Sequence, residues 1–239
     1  MSHAIYTALS GAVAQERNLE TIADNLANVN TAGYKGSRLS FRSLLAAQEG
    51  VDAQETPHIQ VEISHNQNDF TQGTVHKTGN PLDVALRGPG FFSVLTEDGE
   101  RLTRQGSFVH AGDGYLRSQN GHAVLGEAGP IVVPPDRPMV INNDGSVFCD
   151  GVYIDTLKRS HAQDPNMVAR EGNAMWRADD LNALTPVLTP METGALEKSN
   201  VNPVVAMTQL INVQRSYEMY TKAIDTVRNI EQKTSQELG

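Results

Sequence analysis

Apolar residues recur in alternating steps of four and three at both ends of the chain. Ile5, Leu9, Ala12, Glu16, Leu19, Ala23 and Leu26 follow that alternation, and all but Glu16 are apolar. Near the other end Ala206, Leu210, Val213, Tyr217, Tyr220, Ile224, Val227 and Glu231 follow it, all but Glu231 apolar. A repeat of about 3.5 residues aligns such positions on one seam of a helix and suits packing against a second helix as a coiled coil. The pattern predicts terminal helices of about 25 and 34 residues, roughly 37 and 50 Å long.

Punctuation supports both boundaries. The triplet Asn-Val-Asn occurs at 28–30, where the first apolar stretch closes, and at 200–202, where the last one opens. Asn tolerates left-handed backbone and caps helix starts, so it serves at either kind of boundary. Asn202 is placed to cap the second helix and Pro203 suits its first position. The first helix is expected to stop near Asn28–Asn30, with Gly33 supplying a left-handed turn. The chain therefore leaves a helical layer near Asn28–Gly33 and returns to it near Ser199–Asn202, with Asn200 beside the return.

Between the helices the period changes. From Val84 onward, short runs rich in Val, Ile, Phe and Thr are separated by RGPG (87–90), EDGE (97–100), AGDG (111–114), QNG (119–121), NNDG (142–145) and CDG (149–151). Turn signals at such short intervals read as antiparallel β structure, with SQNGHAVLG (118–126) and NDGSVFCDG (143–151) as hairpins. The stretch 46–80 is polar and weakly patterned, and reads as an extended connector with a strand around His58–Ile63. The stretch 160–195 is irregular, with a further strand pair around Trp176. The fold class expected is α+β: N- and C-terminal helices paired as a coiled coil and a central antiparallel β-rich domain. The segments are 1–33 (helix), 34–80 (connector), 81–198 (β domain) and 199–239 (helix).

Charge sharpens this division. The net charge of −9 is uneven: residues 1–45 sum to +1, 46–198 to −10 and 199–239 to 0. An acidic chain with no basic patch argues against nucleic acid as a partner. Near-neutral ends can pack closely against copies of themselves. No apolar run approaches the roughly 18 residues of a membrane span. The first twenty residues include Glu16 and Arg17 and lack a continuous apolar core, so no cleavable secretory signal is visible. The single cysteine, Cys149, excludes an intramolecular disulfide.

Candidate chemistry does not assemble. His3, His58, His65, His76, His110, His122 and His161 form no metal-ligand spacing. If Gly145 is taken as the glycine of a calcium loop, the first and last ligand positions fall on Val140 and Gly151, so tight turns account better for Asn142, Asp144 and Asp150. GPGFFS (88–93) lacks a third glycine and precedes a strand, unlike a dinucleotide fingerprint. Ser107 lacks the glycine that a nucleophile elbow requires two residues later. Asp83, Glu97, Asp98 and Glu100 sit where strand-end and turn carboxylates are common, and nothing selects an acid–base pair among them. A glycosidase-like enzyme would need such a pair. An adhesin or carbohydrate-binding module would need a row of exposed aromatics, and Trp176 is the only tryptophan.

The stretches TIADNLANVNTAGYKGSRLSF (21–41), TGNPLDVALRGPGFFSV (78–94), RLTRQGSFVHAGDGYLRSQNGHAVLGEAGPI (101–131) and GALEKSNVNPVVAMTQLINVQRSYEMYTKAI (194–224) resemble the axial proteins of the bacterial flagellar basal body, the rod and hook proteins. The compact length and the passage from GEAGPIVVP to INNDG favour a proximal rod member over a distal rod or hook-type one. The resemblance implies terminal helices paired in an inner coiled-coil layer of an axial tube, with the β middle outside. It implies copies of itself and other rod proteins as partners, and passage through the flagellar type III export apparatus to the periplasmic rod without a cleaved signal. It implies no enzymatic activity, cofactor, membrane insertion or small-molecule substrate.

The second helix carries another apolar row beside its seam, through Val204, Met207, Ile211, Ala223 and Ile230. Two rows exceed what one partner helix covers, which points to neighbouring subunits. Ile5, Leu9, Leu19, Ala23, Leu26, Met207, Leu210, Ile211, Val213, Tyr217, Tyr220, Ile224 and Val227 are the candidate packing residues. Head-to-tail contacts that do not close on themselves generate a helical tube.

Overall fold

The computed structural model of the chain describes residues 2–46, 58–134, 137–172 and 174–237. Helix α1 spans Ser2–Ala27 and helix α2 spans Pro203–Glu237, with antiparallel β structure between them. The start of α2 follows from its cap: Asn202 Oδ1 accepts hydrogen bonds from the Val204 and Val205 N–H groups at 3.0 and 3.3 Å. After α1, Thr31 N–H donates to Asn28 O at 3.1 Å, and Gly33 takes a φ of +70°.

The chain divides into two compact units. The helical unit contains residues 1–27, 37–69 and 202–239; the β unit contains 28–36 and 70–201. The chain thus leaves the helical unit after Ala27 and rejoins it at Asn202, but it also returns for an additional excursion, 37–69. In that excursion strand β1 (Ser37–Ala46) pairs antiparallel with strand β2 (His58–Asn68), with a register irregularity between Ser40 and Phe41. The stretch read as an extended connector therefore contains a two-stranded ribbon; residues 47–57 of it lie outside the described residues. The strand expected around His58–Ile63 is the first part of β2; the pairing with β1 has no side-chain signal because backbone N–H and C=O groups, which every residue but proline supplies in full, hold a strand pair together. The ribbon is fastened to the last turn of α1 by Asn25, whose side-chain amide donates to Ser37 O at 2.7 Å and accepts from Ser37 N–H at 3.0 Å.

In the β unit, one sheet runs through Val168–Arg170, Met175–Ala178, Gly99–Thr103, Phe91–Thr96, Ala123–Val124, Leu116–Ser118 and Phe108–His110, in that spatial order. Arg159–His161 joins it beside Phe91–Thr96, with Thr185–Pro186 beyond. A second sheet of three strands comprises Met139–Ile141, Ser146–Cys149 and Val152–Thr156, so the 143–151 stretch is the centre of a meander. The turn at 119–121 joins two paired strands, and the strands flanking Trp176 pair as Val168↔Ala178 and Arg170↔Trp176.

Phe91 and Phe92 point to opposite faces of one strand, as the two-residue period requires. Phe92 meets Phe108 edge-on at 5.4 Å, within a core that includes Val84, Leu116, Ile141 and Leu157. Phe91 packs at 5.3 Å from Trp176, with Phe70 5.5 Å from Phe91, in a second core with Leu102 and Val168. Few aromatics suffice because they are concentrated where the two cores need volume.

Two short strand pairs close the β unit: Val84–Leu86 with Met191–Thr193, and Val75–Lys77 with Ala195–Glu197. The second pair delivers Glu197 to a buried charge cluster. Lys35 Nζ donates to Glu197 Oε1 at 2.5 Å and to Thr71 O at 2.7 Å. Arg104 Nη1 donates to Glu197 Oε2 at 3.3 Å, and Gly73 N–H to Oε1 at 2.9 Å. The Lys35 and Glu197 side chains are essentially inaccessible, at 0% and 1% exposure. Burial pushes the Arg104 guanidinium below its ordinary pKa, while Glu197 draws it back up. Arg170 adds a second layer: its guanidinium stacks 4.5 Å from the Tyr34 ring, donates to Tyr34 Oη at 2.6 Å and also donates to Lys35 O. Gly33 fits beneath because it has no side chain; a Cβ there would fall 2.4 Å from the Arg104 carbonyl carbon.

Removing the one carboxylate leaves two buried cations, and breaking a buried pair in this way costs about 3–5 kcal/mol. Glu197→Gln should therefore destabilise the β unit by that amount in urea unfolding followed by Trp176 fluorescence. Lys35→Met leaves Glu197 with Arg104 and the Gly73 N–H, and should cost less, about 1–3 kcal/mol. A Glu197→Gln protein within about 0.5 kcal/mol of the parent would show that the cluster does not hold this unit together.

Candidate assembly surface

Helices α1 and α2 lie against one another. Gly11 marks the contact: a Cβ at that position would sit 2.5 Å from Cε1 of the Tyr220 ring. The direction of the pair follows from the chain. Gly11 lies sixteen residues before the end of α1 and Tyr220 seventeen after the start of α2, about 24 and 26 Å of helix at 1.5 Å per residue. A parallel pair would put Ala27 and Pro203 about 50 Å apart. Yet Gly33 N–H donates to Glu197 O at 2.8 Å, and Gly36 N–H to Asn200 Oδ1 at 2.8 Å. Asn200 N–H also donates to Tyr34 O at 3.4 Å, and the residues from Ala27 to Tyr34 and from Asn200 to Pro203 reach only about 35 Å even when extended. The helices therefore run antiparallel.

Burial distinguishes the faces of each helix. On α2 the positions of the predicted seam turn inward: Ala206 and Val213 are buried, and Leu210, Tyr217, Ile224 and Val227 are half-buried. Tyr220 lies against Gly11 with one edge in solvent. On α1 Ile5, Leu19, Ala23 and Leu26 are half-buried and Ala12 is buried, whereas Leu9 and Glu16 are exposed. Gly11, Ala14 and Ile22 are buried instead. The inward face of α1 is thus turned slightly from the row the period predicts. Glu16 stays in water, and Gly11 admits the Tyr220 ring of α2. Met207 and Ile211 are exposed, together with Val204, Val205 and Met219 on α2 and Tyr6 and Val13 on α1.

The boundary residues separate by role. Asn202 caps α2, and Asn28 and Gly33 shape the turn after α1. Asn200 accepts from Gly36 N–H and donates to Thr71 O at 3.2 Å and Thr71 Oγ1 at 3.1 Å. It thereby ties three chain segments within the β unit. Asn30 projects into solvent. Three contributors escape sequence reasoning: Asn25, Lys35 and Glu197. Lys35 and Glu197 pair across 162 positions, a separation that no local pattern encodes. Among the described residues no group of three His, Cys, Asp or Glu is placed to hold a metal, and no described helix is long and apolar enough to cross a membrane.

Comparison with known proteins accounts for this arrangement. Residues 5–35 match the family described as flagella basal body rod protein. Residues 85–149 match the flagellar hook protein FlgE/F/G D1 domain, and residues 192–237 match the flagellar basal body rod FlgEFG protein C-terminal family. The two terminal matches contain Lys35 and Glu197, so the buried ion pair joins them. The basal-body rod protein FlgF of Caulobacter vibrioides is 33% identical over 242 residues, covering 100% of this chain and 99% of the relative. FlgF of Escherichia coli is 37% identical over 243 residues, covering 95% and 94% respectively. FlgG of Agrobacterium fabrum is 34% identical over 251 residues, covering 93% and 94%. With helical termini around an antiparallel β middle and matches along its whole length, this chain belongs to the flagellar basal-body rod protein family.

Proposed function

We propose that the protein is a structural subunit of the proximal flagellar rod that polymerises through its terminal helices. The observation that carries this reading is the apolar surface left on α1 and α2 after the two helices have packed together. On α2 the seam faces inward while the neighbouring row, through Val204, Met207 and Ile211, stays in solvent. A monomer that exposes large apolar side chains along a helix is shaped for association. The inward faces pair α1 with α2 as an antiparallel coiled coil, and the outward faces pack against further subunits.

Full-length similarity to FlgF from several bacteria supports the proximal position. FlgG relatives also match over most of the chain, which favours the distal rod as the second reading. The protein acts with copies of itself and with other rod proteins in the periplasmic part of the basal body. It reaches that place through the flagellar export apparatus. It carries out no catalysis and needs no cofactor. Deleting its gene should abolish motility and leave basal bodies with truncated rods; motile cells with complete rods would refute the function.

The two apolar rows of α2 make different predictions. Met207→Asp and Ile211→Asp alter exposed positions, so the subunit should stay within about 0.5 kcal/mol of the parent in stability. Both should nevertheless lose rod assembly, because each forfeits about 1.5–3 kcal/mol of apolar burial at every subunit contact. Swimming in soft agar reads the outcome, and wild-type swimming by both variants would exclude that row from assembly. Leu210→Asp and Ile224→Asp place a charge on the inward seam, where an unpaired carboxylate costs several kcal/mol, so they should lose assembly and helix pairing together. Gly11→Leu should also part the helices by displacing the Tyr220 ring, and circular dichroism of the purified subunit should report lost helix. Full helicity and wild-type swimming in Gly11→Leu would show that this close approach is dispensable.

A further inference from the structure

Five turns of the β unit pair an Asn or Asp with a following glycine: Asp98–Gly99, Asp113–Gly114, Asn120–Gly121, Asp144–Gly145 and Asp150–Gly151. The dipeptide suits a tight turn because glycine takes the left-handed backbone. It also brings a side-chain carbonyl carbon close to a backbone nitrogen that no side chain screens. Attack by that nitrogen closes a five-membered imide ring. The five turns differ in how far they allow this.

Four of them are protected by charge. Aspartate side chains ionise well below neutral pH, and an ionised carboxylate resists attack by a nucleophile. Three of the four are held further. Asp113 accepts from Arg117 Nε at 2.9 Å and from Tyr115 N–H at 3.2 Å, and the hydrogen bond from Arg117 holds its carboxyl below the usual range. Asp144 accepts from Ser146 N–H at 3.0 Å, which lowers its pKa in the same way. Asp150 accepts from Arg137 Nη1 at 2.6 Å.

The fifth turn has no such protection. Asn120 carries a neutral carboxamide and is the only asparagine followed by glycine. Both Asn120 and Gly121 are exposed. Gly121 has a φ of +84°, and a Cβ there would meet nothing within 4 Å. The Asn120 amide donates to Gln105 Oε1 only at 3.4 Å. One backbone bond restrains the nucleophile: Gly121 N–H donates to Ser118 O at 2.9 Å. An exposed turn of this kind opens locally without unfolding the cores.

We infer that Asn120 is a site of spontaneous covalent modification, deamidation through a cyclic imide. Once the turn opens, hydroxide removes the Gly121 N–H proton and the nitrogen attacks Cγ of Asn120. The Cγ–Nδ2 bond breaks and ammonia leaves. Water then opens the imide at either carbonyl. Opening at Cγ leaves aspartate on the original backbone; opening at the main-chain carbonyl routes the backbone through Cβ as isoaspartate. The sum is one water consumed and one ammonia released. The isoaspartate form adds one carbon to the backbone of a turn whose length sets the register of its strands. It is therefore expected to break the pairing of Gly121 N–H with Ser118 O and of Ser118 N–H with His122 O, now 2.9 and 2.8 Å.

Incubation of the purified full chain at mildly alkaline pH tests this, read by isoelectric focusing and peptide mass mapping. The net charge should move from −9 to −10 in the first species to form. The new mass should map to Asn120, and isoaspartyl methyltransferase should label the same peptide. Asn120→Gln lengthens an exposed side chain and disfavours ring closure, so that species should disappear. An acidic species that forms as fast in Asn120→Gln, or that maps first to another asparagine, would overturn the assignment. So would a native chain still unmodified at Asn120 when the urea-unfolded chain has reacted fully. None of these outcomes bears on the rod function, which the gene-deletion strain tests separately.

Discussion

The β unit hangs on one buried carboxylate. Glu197 holds Lys35 and Arg104 at once and accepts the Gly73 N–H, so the segments around residues 33–36, 71–73, 104 and 197–200 are locked to a common point. Three of these segments follow α1, follow the β1–β2 ribbon and precede α2, and Arg104 follows the strand Gly99–Thr103. A buried ion pair contributes little net stability over an apolar replacement, but losing one partner is expensive. Such a cluster fixes geometry: it dictates where the chain enters and leaves the β unit. Arg170 over Tyr34 and Gly33 beneath Arg104 extend that constraint along the entering segment.

Much of this molecule is legible in its sequence, and the divide is physical. Helix α2 is readable because its signals are local: a capping Asn202, a first-position Pro203 and an apolar seam that the structure turns inward. The strands around 118–126 and 143–151 are readable because Asn-Gly and Asp-Gly turns and alternating residues lie within a few positions of one another. The Lys35–Glu197 pair has no local signal, since neither residue is unusual until the fold brings distant segments together. The β1–β2 ribbon is legible in part: the alternation of Ile59, Val61 and Ile63 marks its second strand, whereas the pairing with Ser37–Ala46 is made by backbone groups that no side-chain pattern encodes. The inward face of α1 is only partly legible. A period identifies the helix, but whether Leu9 or Gly11 faces α2 depends on the shape of the partner, here the Tyr220 ring.

The helices carry a second layer of information in the apolar side chains they leave outside. Their inward rows meet within one chain, while Val204, Met207, Ile211, Met219 and Ile230 of α2 remain uncovered. Exposed apolar helix faces of this kind are in keeping with membership of a family of rod proteins. The acidic β unit, by contrast, buries its own two cores and closes itself with short strand pairs.

The central claim is that the outward faces of the terminal helices are subunit interfaces. A density map of isolated basal bodies that resolves this subunit tests it most directly. The account predicts that residues 6–13 and 204–211 are covered by neighbouring subunits, with the Lys35–Glu197 pair intact inside each copy. A map in which these helix faces are bare while the subunits adhere through their β units would contradict it.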